Sequence, residues 1–94
     1  MNWFKKLQVR WLKFKIDGIQ KGIADCEKKI EVWRTTAEKI YRAAQSMKPR
    51  NKELYVEEMN LASQCYRRTG RWHREKEILL DVEKELKARL KKLT

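Results

Sequence analysis

Two heptad-spaced stripes run in opposite directions along this chain and constrain its fold more than any other feature. Folding about Asn51 pairs positions whose residue numbers sum to 102, with Met59 one residue out of register. The first stripe, at alternating spacings of three and four, comprises Val9, Leu12, Ile16, Ile19, Ile23, Cys26, Ile30, Trp33, Ala37, Ile40, Ala44 and Met47. The second comprises Tyr55, Met59, Ala62, Cys65, Thr69, Trp72, Lys76, Leu79, Glu83, Leu86, Leu90 and Leu93. Because this spacing is typical of helices packed along a coiled-coil seam, the sequence predicts an all-α fold, a long antiparallel helical hairpin.

The boundaries of the predicted helices follow from the few helix-breaking residues. We expect a single helical domain over residues 1–94, with a helix over 2–47, a turn over 48–51 and a second helix over 52–92. Pro49 pushes Lys48 out of helical geometry, and Asn51 is a favourable N-cap. A two-helix hairpin buries one seam rather than a rounded core, so we expect the protein to be oligomeric.

Three glycines leave alternatives open. Gly18 and Gly22 lie off the seam and permit a bend into a three-helix arrangement or the close approach of another helix. Gly70 could end one helix and start a third, or it could make room for the indole of Trp33, which faces Thr69 in the predicted register. We favour room for the indole, because the stripe passes Gly70 without a change of phase.

Both cysteines lie on the seam, but Cys26 and Cys65 are about eleven residues out of step with the register. At roughly 1.5 Å per residue their backbones would lie more than ~15 Å apart, too far for a disulfide. Buried free thiols suit a reducing compartment. The sequence also lacks an apolar run of membrane-spanning length and the features of a secretory signal. We therefore expect a location in the cytoplasm, or peripheral to a membrane or to a particle assembled there.

The first turns carry a second apolar face. Five side chains fall within about 100° of arc on a helix, roughly opposite the seam. They are Trp3, Phe4, Leu7, Trp11 and Phe14. The cations around them, which we expect to contact polyanions, are Lys5, Lys6, Arg10, Lys13 and Lys15, and residues 1–16 contain no acid. A hairpin covers only one face, so the other predicts a docking segment over residues 1–16, unless the chain folds back at Gly18.

Charge is unevenly distributed along the chain. The net charge is +11, of which residues 1–52 carry +9 (14 Lys and Arg against 5 Asp and Glu). The second half has one basic row, at helical spacing: Arg67, Arg71 and Arg74. Such a row could meet phosphates without reading bases, or it could be a solvated face balanced by the acids that follow it.

No residue pattern predicts catalysis. The seam cysteines and the lone His73 cannot assemble a zinc site within one chain, and the scattered glycines cannot cradle phosphates. A two-helix fold also offers no pocket that excludes water. We expect no enzyme activity, no cofactor, no metal and no small-molecule substrate.

These patterns favour a non-enzymatic helical assembly or interaction protein. It would dock through its aromatic N-terminal helix face to itself or to a larger complex. Small, basic, all-helical chains of this kind are common among phage-encoded structural and accessory proteins, and this association favours such a role. The alternative is a peripheral membrane adaptor that uses the same basic amphipathic helix on an anionic surface. A third hypothesis is a basic accessory protein that binds nucleic acid without sequence preference.

Overall fold

Two long helices make up the fold. The computed structural model describes residues 2–47 and 50–94, in which α1 spans Trp3–Met47 and α2 spans Lys52–Leu93. The predicted all-α helical hairpin is confirmed, and each helix end lies within one residue of its expected position. Lys48 and Pro49, on which the predicted turn partly rests, lie outside the described residues.

An asparagine caps the start of each helix. The backbone N–H of Lys5 donates to Asn2 Oδ1 at 2.8 Å, and that of Leu54 donates to Asn51 Oδ1 at 3.1 Å. Each bond satisfies one of the backbone donors that a helix N-terminus leaves without an intrahelical partner. The predicted N-cap role of Asn51 is therefore confirmed, and Asn2 plays the same role for α1.

All members of the two stripes are buried or half-buried, so the predicted seam is the core. The helices form two compact units, one containing the chain up to Cys26 with Arg74–Thr94, the other Glu27–His73. The first unit has a cluster of branched side chains at its centre, made of Leu12, Ile16 and Leu86 with Ile19, Val82, Leu90 and Leu93 packed against it. In the second unit the buried members are small: Ala37, Ala44, Ala62 and Cys65.

The glycines interrupt neither helix. α1 continues through Gly18 and Gly22, and α2 continues through Gly70, so the described residues contain no bend into a third helix at these positions. The expectation that Gly70 makes room for an indole is wrong, because a Cβ there would meet nothing within 4 Å. The ring of Trp33 is instead covered by the Arg68 guanidinium, whose carbon lies 4.6 Å from the ring centroid.

Gly22 does allow a close approach. It is half-buried rather than off the seam, and a Cβ at this position would lie 3.2 Å from Leu79 Cδ1. The two residue numbers fall one short of the predicted sum, which confirms the register here to within one residue. Both cysteines are buried and neither forms a disulfide, as expected. Among the described residues, no helix combines the length and the apolar character needed to cross a membrane.

Candidate docking surface

The five apolar residues predicted for docking are all exposed on the first four turns of α1. We call them the aromatic stripe: Trp3, Phe4, Leu7, Trp11 and Phe14. Trp3 keeps 74% and Phe14 75% of its accessible surface. On the opposite side of the same turns, Leu12 and Ile16 keep only 4% and 8%. The structure therefore separates two apolar faces on one helix segment, and α2 covers only one of them.

The stripe has the spacing of a helix-packing face. Phe4, Leu7, Trp11 and Phe14 follow one another at intervals of three, four and three residues, the same alternation as in the seam. Gly18 follows four residues later, exposed and with no neighbour within 4 Å of a Cβ built there. From residue 3 to residue 14 the stripe extends along the helix for roughly 17 Å at 1.5 Å per residue.

Two open hollows lie beside the stripe, and each is lined by both apolar and cationic side chains. One, of about 380 Å³, is lined by Trp3, Lys6, Leu7, Val9 and Arg10. The other, of about 320 Å³, is lined by Gln8, Trp11, Leu12, Arg89, Lys92 and Leu93. The aromatic rings thus stand between positively charged side chains on both sides. Lys15 adds a further contact, with its Nζ 5.4 Å from the ring centroid of Trp11.

The cations from α2 are functional candidates that the sequence analysis missed. We call residues 2–16 of α1 with residues 86–94 of α2 the basic aromatic end. It contains nine Lys and Arg and no Asp or Glu, and all nine are exposed. The four from α2 are Lys87, Arg89, Lys91 and Lys92. The predicted register, in which paired residue numbers sum to 102, places residues 86–94 beside residues 8–16. These four cations could therefore have been found from the sequence.

Acids begin where this end stops. Glu83 and Glu85 lie one turn before the basic residues of α2, and they pair with Lys87 at 3.7 Å and with Arg89 at 3.2 Å. Glu83 is half-buried, whereas Glu85 and Arg89 form an exposed pair, which is worth at most about 1 kcal/mol. The two ion pairs offset two of the nine cations, so the end keeps most of its positive charge.

Of the predicted arginine row, Arg67 and Arg71 belong to the second unit and Arg74 belongs to the first. Arg67, Arg71 and Arg74 are all exposed, as an outward row requires. The neighbouring indole of Trp72, however, packs against two cations. Arg71 has its guanidinium carbon 5.6 Å from the ring centroid of Trp72, and Lys29 Nζ lies 4.1 Å from the same centroid. Part of the row therefore covers an aromatic ring, which contributes roughly 0.5 to 1 kcal/mol at an exposed site.

Within residues 2–47 and 50–94, no three His, Cys, Asp or Glu side chains come together in a way that could hold a metal ion. Comparisons with protein-family models, with curated proteins and with solved structures gave no match. The geometry and charge of the basic aromatic end are therefore the features that point to a function.

Proposed function

We propose that this chain is a non-enzymatic helical docking protein that attaches through its aromatic stripe to a partner surface. The observation that carries the proposal is the exposure of two Trp, two Phe and one Leu on one face of a helix whose other face is already packed. Contiguous exposed apolar surface of this kind marks interaction sites. Trp is also among the residues that most often dominate the energy of an interface.

Docking onto protein, either a second copy or a larger complex, would bury the stripe against another helix. The heptad spacing of Phe4, Leu7, Trp11 and Phe14 supports this form of the proposal, because side chains at that spacing interlock with a partner helix. The hairpin then acts as the rigid support: its seam orders α1, and α1 presents the stripe without further folding.

Attachment to a membrane surface is the second candidate. The observation that favours it is the absence of any acid from the basic aromatic end, together with two exposed Trp. Basic helices with an aromatic face bind in the plane of an anionic bilayer interface. The third hypothesis, nucleic-acid binding through the arginine row, receives no comparable support.

The proposal is tested by removing the stripe without touching the seam. The stripe variant is Trp3→Gln, Trp11→Gln and Phe14→Gln. Because these side chains contribute little to the core, we expect its free energy of unfolding to stay within about 0.5 kcal/mol of the parent. Association with other copies or with vesicles should be lost. Far-ultraviolet circular dichroism during urea titration and sedimentation velocity measure the two effects. A stripe variant that unfolds would show that the stripe belongs to the core and would refute the docking function.

A further inference from the structure

We infer that the surface met by the basic aromatic end is an anionic lipid membrane, an inference that rests on the proposed docking function. The first observation is charge. The end holds a net charge of +9, while all other residues hold 15 Lys and Arg against 13 Asp and Glu, a net of +2. Almost the whole surplus of the protein therefore surrounds the aromatic stripe.

This charge argues against a second copy as the occupant. Two chains docked stripe to stripe would bring together two ends that each carry nine exposed cations and no acid. The ion pairs with Glu83 and Glu85 offset only two of the nine cations on each side, so the repulsion between the two ends would remain. The occupant must instead supply negative charge.

The arrangement of the cations favours a planar occupant over a partner helix. Lys6 and Arg10 line the hollow on one side of the stripe, and Arg89 and Lys92 line the hollow on the other. A helix is about 10 Å wide and packs along one groove, where it would meet one of these two sets. A bilayer surface meets both at once, with the stripe inserted between them.

The apolar side chains fit the same surface. Trp and Phe rings settle at the boundary between headgroups and acyl chains, and lysine stems lie along apolar surface while the ammonium reaches the headgroups. In this orientation α1 lies in the membrane plane along the stripe. Leu12 and Ile16, on the opposite face, stay packed in the cluster with Leu86 of α2. Insertion of the stripe therefore requires no unfolding of the seam.

The experiment uses the full chain and vesicles of two compositions. One is pure phosphatidylcholine, and the other contains about one-third phosphatidylserine, whose surface potential attracts basic segments. Cosedimentation gives the partition coefficient. We expect binding to the anionic vesicles alone, with a marked decrease as salt is raised.

Two charge variants give the matched comparison. One is Lys6→Gln, Arg10→Gln and Lys13→Gln, within the basic aromatic end. The control variant removes the same number of charges from the arginine row, by the substitutions Arg67→Gln, Arg71→Gln and Arg74→Gln. At roughly 1 kcal/mol per basic residue near an anionic surface, the first variant should partition about a hundredfold more weakly. The control should bind within about threefold of the parent, since the acids Glu75, Glu77 and Asp81 follow the arginine row and already offset its charge.

The outcomes separate this inference from the docking function. No binding to anionic vesicles by the parent, with a stripe variant that stays folded, would overturn the membrane inference and leave docking intact. Stripe-dependent association of the parent with itself in that case would identify a second copy as the occupant. Equal vesicle binding by the parent and the stripe variant would overturn both proposals, because charge alone would then explain the binding. Equal losses of vesicle binding in the two charge variants would overturn the assignment of the site to the basic aromatic end.

Discussion

Replacing Gly70 by Ala should stabilise this protein, because the residue lies in the interior of α2. A Cβ at this position would meet nothing within 4 Å, and none of the glycines has a positive φ. The substitution therefore adds no clash and requires no change of backbone. Glycine in a helix interior is about 0.8 to 1.0 kcal/mol less favourable than Ala, because its unfolded state has more conformational freedom. We expect Gly70→Ala to raise the free energy of unfolding by nearly that amount.

Gly22 supplies the internal comparison. Its Cβ would lie 3.2 Å from Leu79 Cδ1, so Leu79 must shift before an Ala fits. Overpacking costs about 1 to 3 kcal/mol where the neighbours cannot relax, which would offset the gain in helix propensity. We expect Gly22→Ala to be less stable than Gly70→Ala. Gly18→Ala, where the space is also open, should behave like Gly70→Ala.

Urea titrations followed by circular dichroism, with thermal melts in parallel, measure these differences. For a domain of this size, 1 kcal/mol corresponds to a shift in Tm of roughly 4 to 8 °C. A loss of stability in Gly70→Ala would refute the reasoning. It would indicate that Gly70 ends a helix in the left-handed conformation, which disfavours alanine. Equal effects at Gly22 and Gly70 would contradict the close approach of Leu79.

Three further predictions concern the seam and the arginine row. Cysteine pairs at Ile23 with Leu79 and at Ile40 with Ala62, in a background without the native cysteines, should oxidise within a monomer; bridges formed only between chains would rule out the hairpin. Ile23→Ala should cost about 2 to 5 kcal/mol in urea titrations, because Ile23 is buried, and an unchanged midpoint would remove it from the core. Neutralising the arginine row should leave the salt dependence of oligonucleotide binding unchanged, whereas phosphate contacts would lower the slope by roughly 0.7 to 0.9 each.

The heptad pattern was sufficient to predict the helices, the seam and the register. Spacing alone determines which positions of a helix face a neighbour, and a two-helix hairpin leaves few topologies to choose from. The same angular argument placed Trp3 and Phe14 opposite Leu12 and Ile16, and the exposures agree. The spacing determines the direction in which each side chain points around the helix axis.

Other features depend on distances across the seam, which spacing does not give. Gly22 and Gly70 look alike in sequence, yet Leu79 approaches one and nothing approaches the other. Long cationic side chains are a second case. Arg68 covers Trp33 and Lys29 covers Trp72, and these contacts depend on rotamers that a heptad pattern leaves open.

Stability and the proposed docking depend on different faces of the same segment of α1, which keeps five large apolar residues exposed beside a packed seam. In globular helices an apolar side chain usually serves the core, so a change that weakens binding also weakens the fold. Here Leu12 and Ile16 pack in the core while the aromatic stripe lies on the opposite side. Because the two sets share a helix but no contact face, seam substitutions should change stability and stripe substitutions should change binding. The fold depends on one seam, and the proposed docking depends on the second face.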